Sequence, residues 1–217
     1  MQSTAHTPSR QAEELMATLR EVSYPALFVE EDKWYSYKLM SLYAAIAEIT
    51  LPGDYAEFGV YQGRCARFIA NFLRGGRQLH LFDSFEGLPE DWIGTFKKGM
   101  FSLPPESIPT FDRDDIHVHV GWFADTIPEI RKQFTAPLAF IHADADLYSS
   151  TVDLLEGMNE LIAPGTVILF DEYAMESGGE FDDGEHRALV EWAARHTRTF
   201  RYLWRTAHAQ VAIRIIG

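Results

Sequence analysis

The sequence predicts one α/β domain built on a doubly wound, mostly parallel sheet of seven strands with an antiparallel C-terminal strand. Apolar runs that end in acidic residues alternate with segments of helical periodicity, as expected of a parallel sheet covered by helices on both faces. The last two apolar segments, 200–205 and 210–216, instead alternate as a closing strand pair. No internal repeat or linker divides the chain.

The composition disfavours several classes of protein. The chain has 217 residues, of which 47% are hydrophobic, enough for one sizeable core. Its formal net charge of -13 argues against a nucleic-acid partner. No apolar run reaches the roughly 18 residues of a membrane span, and the polar segment 1–10 lacks the apolar part of a signal peptide. Cys65 is the single cysteine, which fits a reducing cytoplasm.

The central stretch of the sequence runs from Leu138 to Thr151. An apolar strand leads into Asp144 and Asp146, and Ser149-Ser150-Thr151 then supplies good caps for a helix. The two acids should therefore lie where a strand ends and a helix begins, which is where open α/β sheets bind ligands. The alternative is that both acids only cap the turn.

A second pattern joins a glycine turn to a distant acid. Glu57-Phe58-Gly59 and Gly63 lie between a strand and a helix, where glycines let a ligand approach the backbone. Asp83 ends the next strand, 24 residues after Gly59. In dinucleotide-binding folds an acid at a similar distance from the glycine turn accepts hydrogen bonds from the ribose hydroxyls. The combination predicts a nucleoside-containing cofactor, although a purely structural turn is the alternative for the glycines.

The remaining segments complete the predicted order. Residues 1–34 are expected to form an N-terminal extension, partly disordered or acting as a lid, and 35–217 to form the domain. Helices are predicted over 11–22, 35–49, 64–73, 124–134, 152–162 and 187–196, and strands over 54–59, 78–83, 116–120, 138–144 and 166–173. The aperiodic segment 86–112 is rich in aromatic residues and is predicted to be a lid over the cavity.

Acidic residues at several strand ends could serve a metal. Asp171 and Glu172 end another buried strand, so they should share a sheet edge with Asp144 and Asp146. Such carboxylates could hold Mg²⁺, or they could form a water-filled acidic rim. His142 is expected to be a satisfied core residue rather than a ligand.

Four blocks of sequence together resemble a known family. They are Glu57-Phe58-Gly59-Val60-Tyr61-Gln62-Gly63, Phe82-Asp83-Ser84-Phe85-Glu86-Gly87-Leu88-Pro89, Asp144-Ala145-Asp146-Leu147-Tyr148-Ser149-Ser150-Thr151 and Asp171-Glu172-Tyr173. In this order they resemble the macrocin O-methyltransferase (TylF-like) family. These are S-adenosylmethionine-dependent enzymes with the Rossmann-like class I methyltransferase fold, which methylate sugar hydroxyls of natural products.

The resemblance implies a role for particular residues. Glu57 and Gly59 would line the methionine part of S-adenosyl-L-methionine, Asp83 would hold the ribose, and Ser84 and Trp122 would border the adenine. The full implied cofactor set is Glu57, Phe58, Gly59, Val60, Tyr61, Gly63, Asp83, Ser84, Phe85, Gly121, Trp122, Phe123 and Asp144. Asp144, Asp171 and Glu172 would bind Mg²⁺, and Asp144 would be the catalytic base.

The sequence departs from this family at two points and leaves alternatives open. Glu172 stands where the family commonly has Asp, and Gln62-Gly63-Arg64-Cys65 replaces a common Gly-Gly-Ser. Leu147 replaces the Lys of catechol-type enzymes, which favours a sugar hydroxyl as acceptor. The alternatives are a metal-dependent glycosyltransferase with an Asp-x-Asp motif and a catalytically silent cofactor-binding protein. The small-molecule acceptor is unspecified, and a homodimer is left open.

Overall fold

The computed structural model describes residues 33–173, 184–206 and 209–217, which form one seven-stranded sheet with helices on both faces. The strands are β1 (Tyr55–Phe58), β2 (Leu79–Asp83), β3 (Ile116–Val120), β4 (Phe140–Ala143), β5 (Val167–Phe170), β6 (Phe200–Arg205) and β7 (Val211–Ile215). The α-helices are α1 (Lys33–Ala47), α2 (Arg64–Ala70), α3 (Phe123–Ile130), α4 (Tyr148–Gly157) and α5 (Glu185–Arg195). Short 3₁₀ helices cover Pro105–Ser107, Arg131–Gln133 and Asn159–Leu161.

The strand order is β3-β2-β1-β4-β5-β7-β6. Strands β1 to β5 pair in parallel, and β7 is antiparallel to both β5 and β6. The predicted fold is therefore confirmed. The order reverses between β1 and β4, whose ends are in register at Phe58 and Ala143. In such a sheet this is the switch point at which a ligand crevice opens.

The core has two layers because successive strand residues face opposite sides of the sheet. One layer contains Leu42 from α1 and Ile69 from α2, and the other contains Ile127 from α3, Leu154 from α4 and Trp192 from α5. Every residue of β1, β4 and β5 is buried. This explains why these strands read as continuous apolar runs rather than as an alternation.

Helix α3 begins one residue before its predicted start and contains a proline. α3 begins at Phe123, so Pro128 lies in its second turn, where it cannot donate the usual hydrogen bond to Ala124. Ala124 is exposed, so water can satisfy its carbonyl oxygen. The helix ends at Ile130 and continues as a single 3₁₀ turn.

The cap of α4 also differs from the prediction. Its N-cap is Leu147, so Ser149, Ser150 and Thr151 lie inside the helix and do not cap it. The Thr151 hydroxyl instead donates to the Leu147 carbonyl oxygen over 2.9 Å. Because the cap falls on Leu147, the alternative in which Asp144 and Asp146 only cap this helix loses its support.

Several predicted features lie outside the described residues. They include the N-terminal helix predicted over 11–22. The sequence also predicts a flexible acidic stretch over 176–185, most of which is outside, and a turn near Ala207-His208 between the last two strands. Of the N-terminal extension, residues 33 and 34 belong to α1, which begins and ends two residues before the predicted bounds. None of the described helices combines the length and apolar character that crossing a membrane requires.

Three histidines meet on β2 and β3. His80 Nδ1 lies 3.0 Å from His119 Nε2, and His117 Nε2 lies 2.9 Å from the Gln78 side-chain oxygen. Burial, together with the neighbouring histidines, lowers the pKa of His80 to about 3 and that of His119 to about 4. Both rings are therefore neutral in the folded protein at mildly acidic pH.

This cluster predicts that the protein loses stability in mild acid. Above about pH 6.5 the histidines are neutral in both the folded and the unfolded chain. As pH drops from 6.5 toward 4 the free energy of unfolding falls, because the histidines then bind protons in the unfolded chain but stay neutral in the folded protein. At pH 5 the buried His80 should cost roughly 2 kcal/mol, and the partly exposed His119 should cost less because solvent screens it. Urea denaturation of the wild type and of His119→Gln between pH 7.5 and 5 checks this. The variant should lose less stability over that range, and equal losses would contradict the prediction.

Candidate active site

A cavity of about 800 Å³ lies at the carboxyl ends of the central strands. This is within the range that holds a small-molecule ligand. Its walls combine polar groups at the strand ends with an apolar outer part. The lining residues include Lys38, Gly59, Tyr61, Asp83, Ser84, Leu88, Glu90, Trp92, Phe96, Phe101, Trp122, Phe123, Asp144, Asp146, Ser149, Asp153 and Glu172.

The glycine turn after β1 brings the backbone against the end of β4. Gly59 has φ 87°, and a Cβ at this position would lie 1.8 Å from the Asp144 carbonyl oxygen. Tyr61 follows with φ 46°, and Gly63 is the N-cap of α2 with φ 70°. A side chain at position 59 would therefore separate two chain segments that both reach the cavity.

Gly59→Ala is expected to destabilise the protein by about 3 kcal/mol or more, because the new methyl group collides with backbone atoms that cannot rotate away. Thermal unfolding should show a decrease in Tm of roughly 6–12 °C. Gly75→Ala is the matched control, since Gly75 has φ 69° but nothing lies within 4 Å of its added Cβ. Equal decreases in Tm for both variants would show that backbone handedness, not the close approach, sets the cost.

Asp83 holds this turn in place from the end of β2. Its Oδ2 accepts hydrogen bonds from the backbone N–H groups of Val60 and Tyr61 over 2.7 and 2.8 Å. Its Oδ1 accepts one from the Phe85 N–H over 2.7 Å. A carboxylate has about four acceptor positions, so one remains for a ligand. Asp83 is half-buried and lines the cavity.

The predicted cofactor residues divide into two groups. Those that line the cavity are Gly59, Tyr61, Asp83, Ser84, Trp122, Phe123 and Asp144. The residues that are not part of its lining are Glu57, Phe58, Val60, Gly63, Phe85 and Gly121. Phe58, for example, is fully buried and stacks on Phe82 at a centroid distance of 4.7 Å. The Gly121 N–H donates to the Asp83 carbonyl oxygen over 3.0 Å, which ties β3 to the end of β2.

The acidic residues after β4 and β5 form a compact group. Ligand oxygens of Asp144, Asp171 and Glu172 lie within 4.8 Å of one another. Lys38, from α1, lies among them. Its Nζ is 2.6 Å from Asp144 Oδ2 and 2.9 Å from Asp171 Oδ2. No sequence motif identified this lysine as part of the site. The available signal was that Lys38 shares the buried face of α1 with Leu42 and Ala45, at positions i, i+4 and i+7.

Burial and Lys38 act against each other in this group. Burial alone would raise the pKa of Asp171, but Lys38, His142 and Glu172 together outweigh it and hold that pKa below its usual range. For Asp144 burial prevails over Lys38, and its pKa is raised. Burial, followed by the charge of Asp144, raises the pKa of Asp146 to about 8. Burial and the charge of Asp171 raise the pKa of Glu172.

A second buried pair lies beneath the group. His142 Nδ1 is 3.0 Å from Glu57 Oε1, and both side chains are shielded from solvent. His142 Nε2 is 3.9 Å from Asp171 Oδ1, too far for a hydrogen bond. Burial would lower the pKa of His142, but Asp171 and Glu57 outweigh it and raise that pKa to about 9. His142 is thus a buried residue with a carboxylate partner, and the Glu57 carboxylate is turned toward it.

Asp146 has an unusual backbone. It adopts φ 59° without being glycine, which costs of order 1 kcal/mol, and it lines the cavity two residues after Asp144. The turn lets Leu147 take an extended conformation and begin α4. Both Asp144 and Asp146 therefore line one cavity at this strained turn.

The segment after β2 forms the apolar wall of the cavity. Within 86–112, the Leu88 and Gly99 N–H groups bond across the segment to the carbonyl oxygens of Met100 and Leu88, each over 2.9 Å. Aromatic rings pack in sequence along it, with Phe96 5.1 Å from Trp92 and 5.9 Å from Phe101 between centroids. The Ser149 hydroxyl donates to Glu90 over 2.6 Å and fastens this wall to α4. That the segment 86–112 opens and closes as a lid stays a prediction.

The sheet order, the crevice between β1 and β4, and the acid that closes β2 define the class I methyltransferase fold. The chain belongs to the family of methyltransferase domains, which matches residues 56–173.

Similar proteins agree with this assignment. The chain is 33% identical to the 8-demethyl-8-(2,3-dimethoxy-alpha-L-rhamnosyl)-tetracenomycin-C 4'-O-methyltransferase of Streptomyces olivaceus, over 58% of this chain and 55% of that protein. It is 30% identical to the demethyldecarbamoylnovobiocin O-methyltransferase of Streptomyces niveus, over 58% and 54%. The chain thus spans about half the length of the curated relatives it matches. A crystal structure of a calicheamicin methyltransferase shares the fold with a TM-score of 0.66 and 20% identity, covering 94% of this chain and 91% of that one.

Proposed function

We propose that the chain is an S-adenosylmethionine-dependent O-methyltransferase that acts on a hydroxyl of a small glycosidic natural product. The observation that carries the proposal is that Asp83 with its glycine turn and Asp144 line one cavity. The related enzymes support it, since their names place methyl groups on oxygens of such molecules. Within this class we assign the chain to the macrocin (TylF-like) branch, on the sequence blocks described above.

The cavity offers a separate place for each reactant. Asp83, Ser84 and Trp122 provide a carboxylate, a hydroxyl and an aromatic face for the nucleoside of the cofactor. Trp92 and Phe101 line the same cavity and provide an apolar wall for the acceptor. The acceptor is therefore expected to combine an apolar body with at least one hydroxyl group.

Methyl transfer requires alignment and removal of one proton. The acceptor oxygen attacks the sulfonium methyl group, so that a C–O bond forms and the C–S bond breaks, leaving a methyl ether and S-adenosylhomocysteine. The hydroxyl proton passes to Asp144. Asp144 Oδ2 bonds to Lys38, while Oδ1 has no hydrogen-bond partner in the part of the chain that the structure describes. That oxygen is free to accept the proton, and the raised pKa of Asp144 suits a base.

Magnesium was predicted at Asp144, Asp171 and Glu172, and it stays a prediction. Three carboxylates at this spacing suit a hard divalent cation, which would lower the pKa of an acceptor hydroxyl bound to it. However, the Lys38 ammonium already lies between two of the three ligands. The group does not fit the ion with Lys38 in place, so we derive no step through it.

Two measurements test the proposed function. Calorimetric titration with S-adenosylhomocysteine should show one site per chain, with a nucleoside diphosphate-sugar as the negative control. Incubation with labelled S-adenosylmethionine and a panel of rhamnosides and related glycosides should yield a methyl ether on oxygen. Cofactor binding without transfer to any acceptor would favour the silent binding protein, and binding of the nucleotide sugar alone would favour the glycosyltransferase.

A further inference from the structure

Lys38 occupies the position in the acidic group where a metal ion would neutralise it. Its Nζ contacts carboxylates from two different strand ends, at 2.6 Å to Asp144 and 2.9 Å to Asp171. The Lys38 side chain is only 14% exposed. Among the described residues that line the cavity it is the sole Lys or Arg.

The surroundings of Asp171 show why a cation is needed there. Its side chain is fully buried, and the nearest cation among the described residues is the Lys38 ammonium, 2.9 Å from Oδ2. The other cationic candidate, His142, has its Nε2 3.9 Å from Asp171 and already serves Glu57 through Nδ1. A buried carboxylate without a close counter-ion is strongly unfavourable, so Lys38 or an ion in its place must neutralise Asp171.

The position of Lys38 also excludes a second cation. A divalent ion bound to Asp144 and Asp171 would lie roughly 2.1 Å from their oxygens and within the space that the ammonium fills. Two cations so close would repel each other strongly in a buried site. The ion and the ammonium are therefore alternatives.

We infer that Lys38 is the resident cation of this site: it positions Asp144 and Asp171 in place of a divalent metal, so that methyl transfer by this chain needs no added metal. Lys38 acts through Asp144 and is a positioning residue. It holds Oδ2 of the base and leaves Oδ1 to the acceptor. The catalytic part of this inference depends on the proposed function, whereas the exclusion of metal depends only on the geometry of the acidic group.

The test compares Mn²⁺ binding by the wild type, Lys38→Met and the matched control Lys132→Met, whose exposed lysine pairs with Glu129 over 2.7 Å. Free Mn²⁺ is followed by electron paramagnetic resonance, because that readout does not depend on turnover. The wild type and Lys132→Met should show no saturable site below about 1 mM, and Lys38→Met should gain one, at least roughly tenfold tighter, because its acids then lack a cation. One tight Mn²⁺ site in the wild type, or no gain in Lys38→Met, would overturn the inference.

Two further readouts separate the possible failures. S-adenosylhomocysteine titration should give affinities within about threefold in all three proteins, which checks folding of the cofactor site. If Lys38→Met does not fold, the wild-type titration decides alone: a saturable Mn²⁺ site overturns the inference and its absence supports it.

For any acceptor that the wild type methylates, EDTA should leave turnover within about twofold, and restoration by Mg²⁺ after a loss would overturn the inference. Failure to bind S-adenosylhomocysteine would remove the proposed function and leave the Mn²⁺ result standing.

Discussion

Asp144→Asn should lower the rate of methyl transfer by roughly 10²- to 10⁴-fold while leaving cofactor affinity within about threefold of the wild type. The amide keeps the shape of the side chain and its contact with Lys38, but it cannot accept the acceptor proton. Asp83 and the glycine turn, which would bind the cofactor, are unchanged. Single-turnover transfer and calorimetric titration with S-adenosylhomocysteine measure the two quantities separately.

The control for this variant is Asp125→Asn, which changes an exposed aspartate in the first turn of α3. It should behave as the wild type in both measurements. Full turnover by Asp144→Asn would remove Asp144 from the mechanism. A parallel loss of cofactor affinity would mean that Asp144 supports binding and not proton transfer.

Asp83→Asn should reduce affinity for S-adenosylhomocysteine by roughly 100-fold, equivalent to about 2.7 kcal/mol. The carboxylate accepts hydrogen bonds from three backbone N–H groups. In the asparagine variant the amide nitrogen replaces one oxygen, and because it is itself a donor it cannot accept the hydrogen bond made there. The variant therefore loses both the turn geometry and the charged partner for the ribose. Titration calorimetry gives the affinity, and a thermal melt should show a decrease in Tm of several degrees.

Asp115→Asn is the comparison for charge removal alone, since Asp115 forms a surface ion pair with Arg113 over 2.7 Å. Such pairs contribute about 0–1 kcal/mol, so cofactor affinity should not change. Unaltered affinity in Asp83→Asn would show that this carboxylate supports the turn without contacting the ribose.

The sheet, and the fact that Asp83 and Asp144 line the same cavity, were predictable from sequence for one physical reason. Each central strand is buried on both faces and therefore reads as a continuous apolar run, so its end is visible in the sequence. Parallel strands place their carboxyl ends on one edge. Two acids that follow such runs could be assigned to a common cavity without any knowledge of distances.

Contacts that depend on packing were not predictable in the same way. Lys38 and Asp144 are separated by 106 positions, and they meet only because α1 packs across the sheet. The role of Glu57 at the cofactor stays a prediction, but its contact with His142, 85 positions later, follows from strand register and could not be predicted. The cap of α4 was misplaced because the left-handed backbone of Asp146 begins the helix before the serines.

The three hydrogen bonds of Asp83 have a consequence for the kinetics of ligand capture. Two of them satisfy the amides of Val60 and Tyr61 in the glycine turn within the protein itself, so the turn's conformational entropy is lost when the chain folds. Arrival of a nucleoside then requires little reordering of this loop, and a preformed loop avoids the slow association that accompanies coupled ordering. Amide hydrogens of Val60 and Tyr61 should accordingly exchange slowly with solvent deuterium before any nucleoside is added.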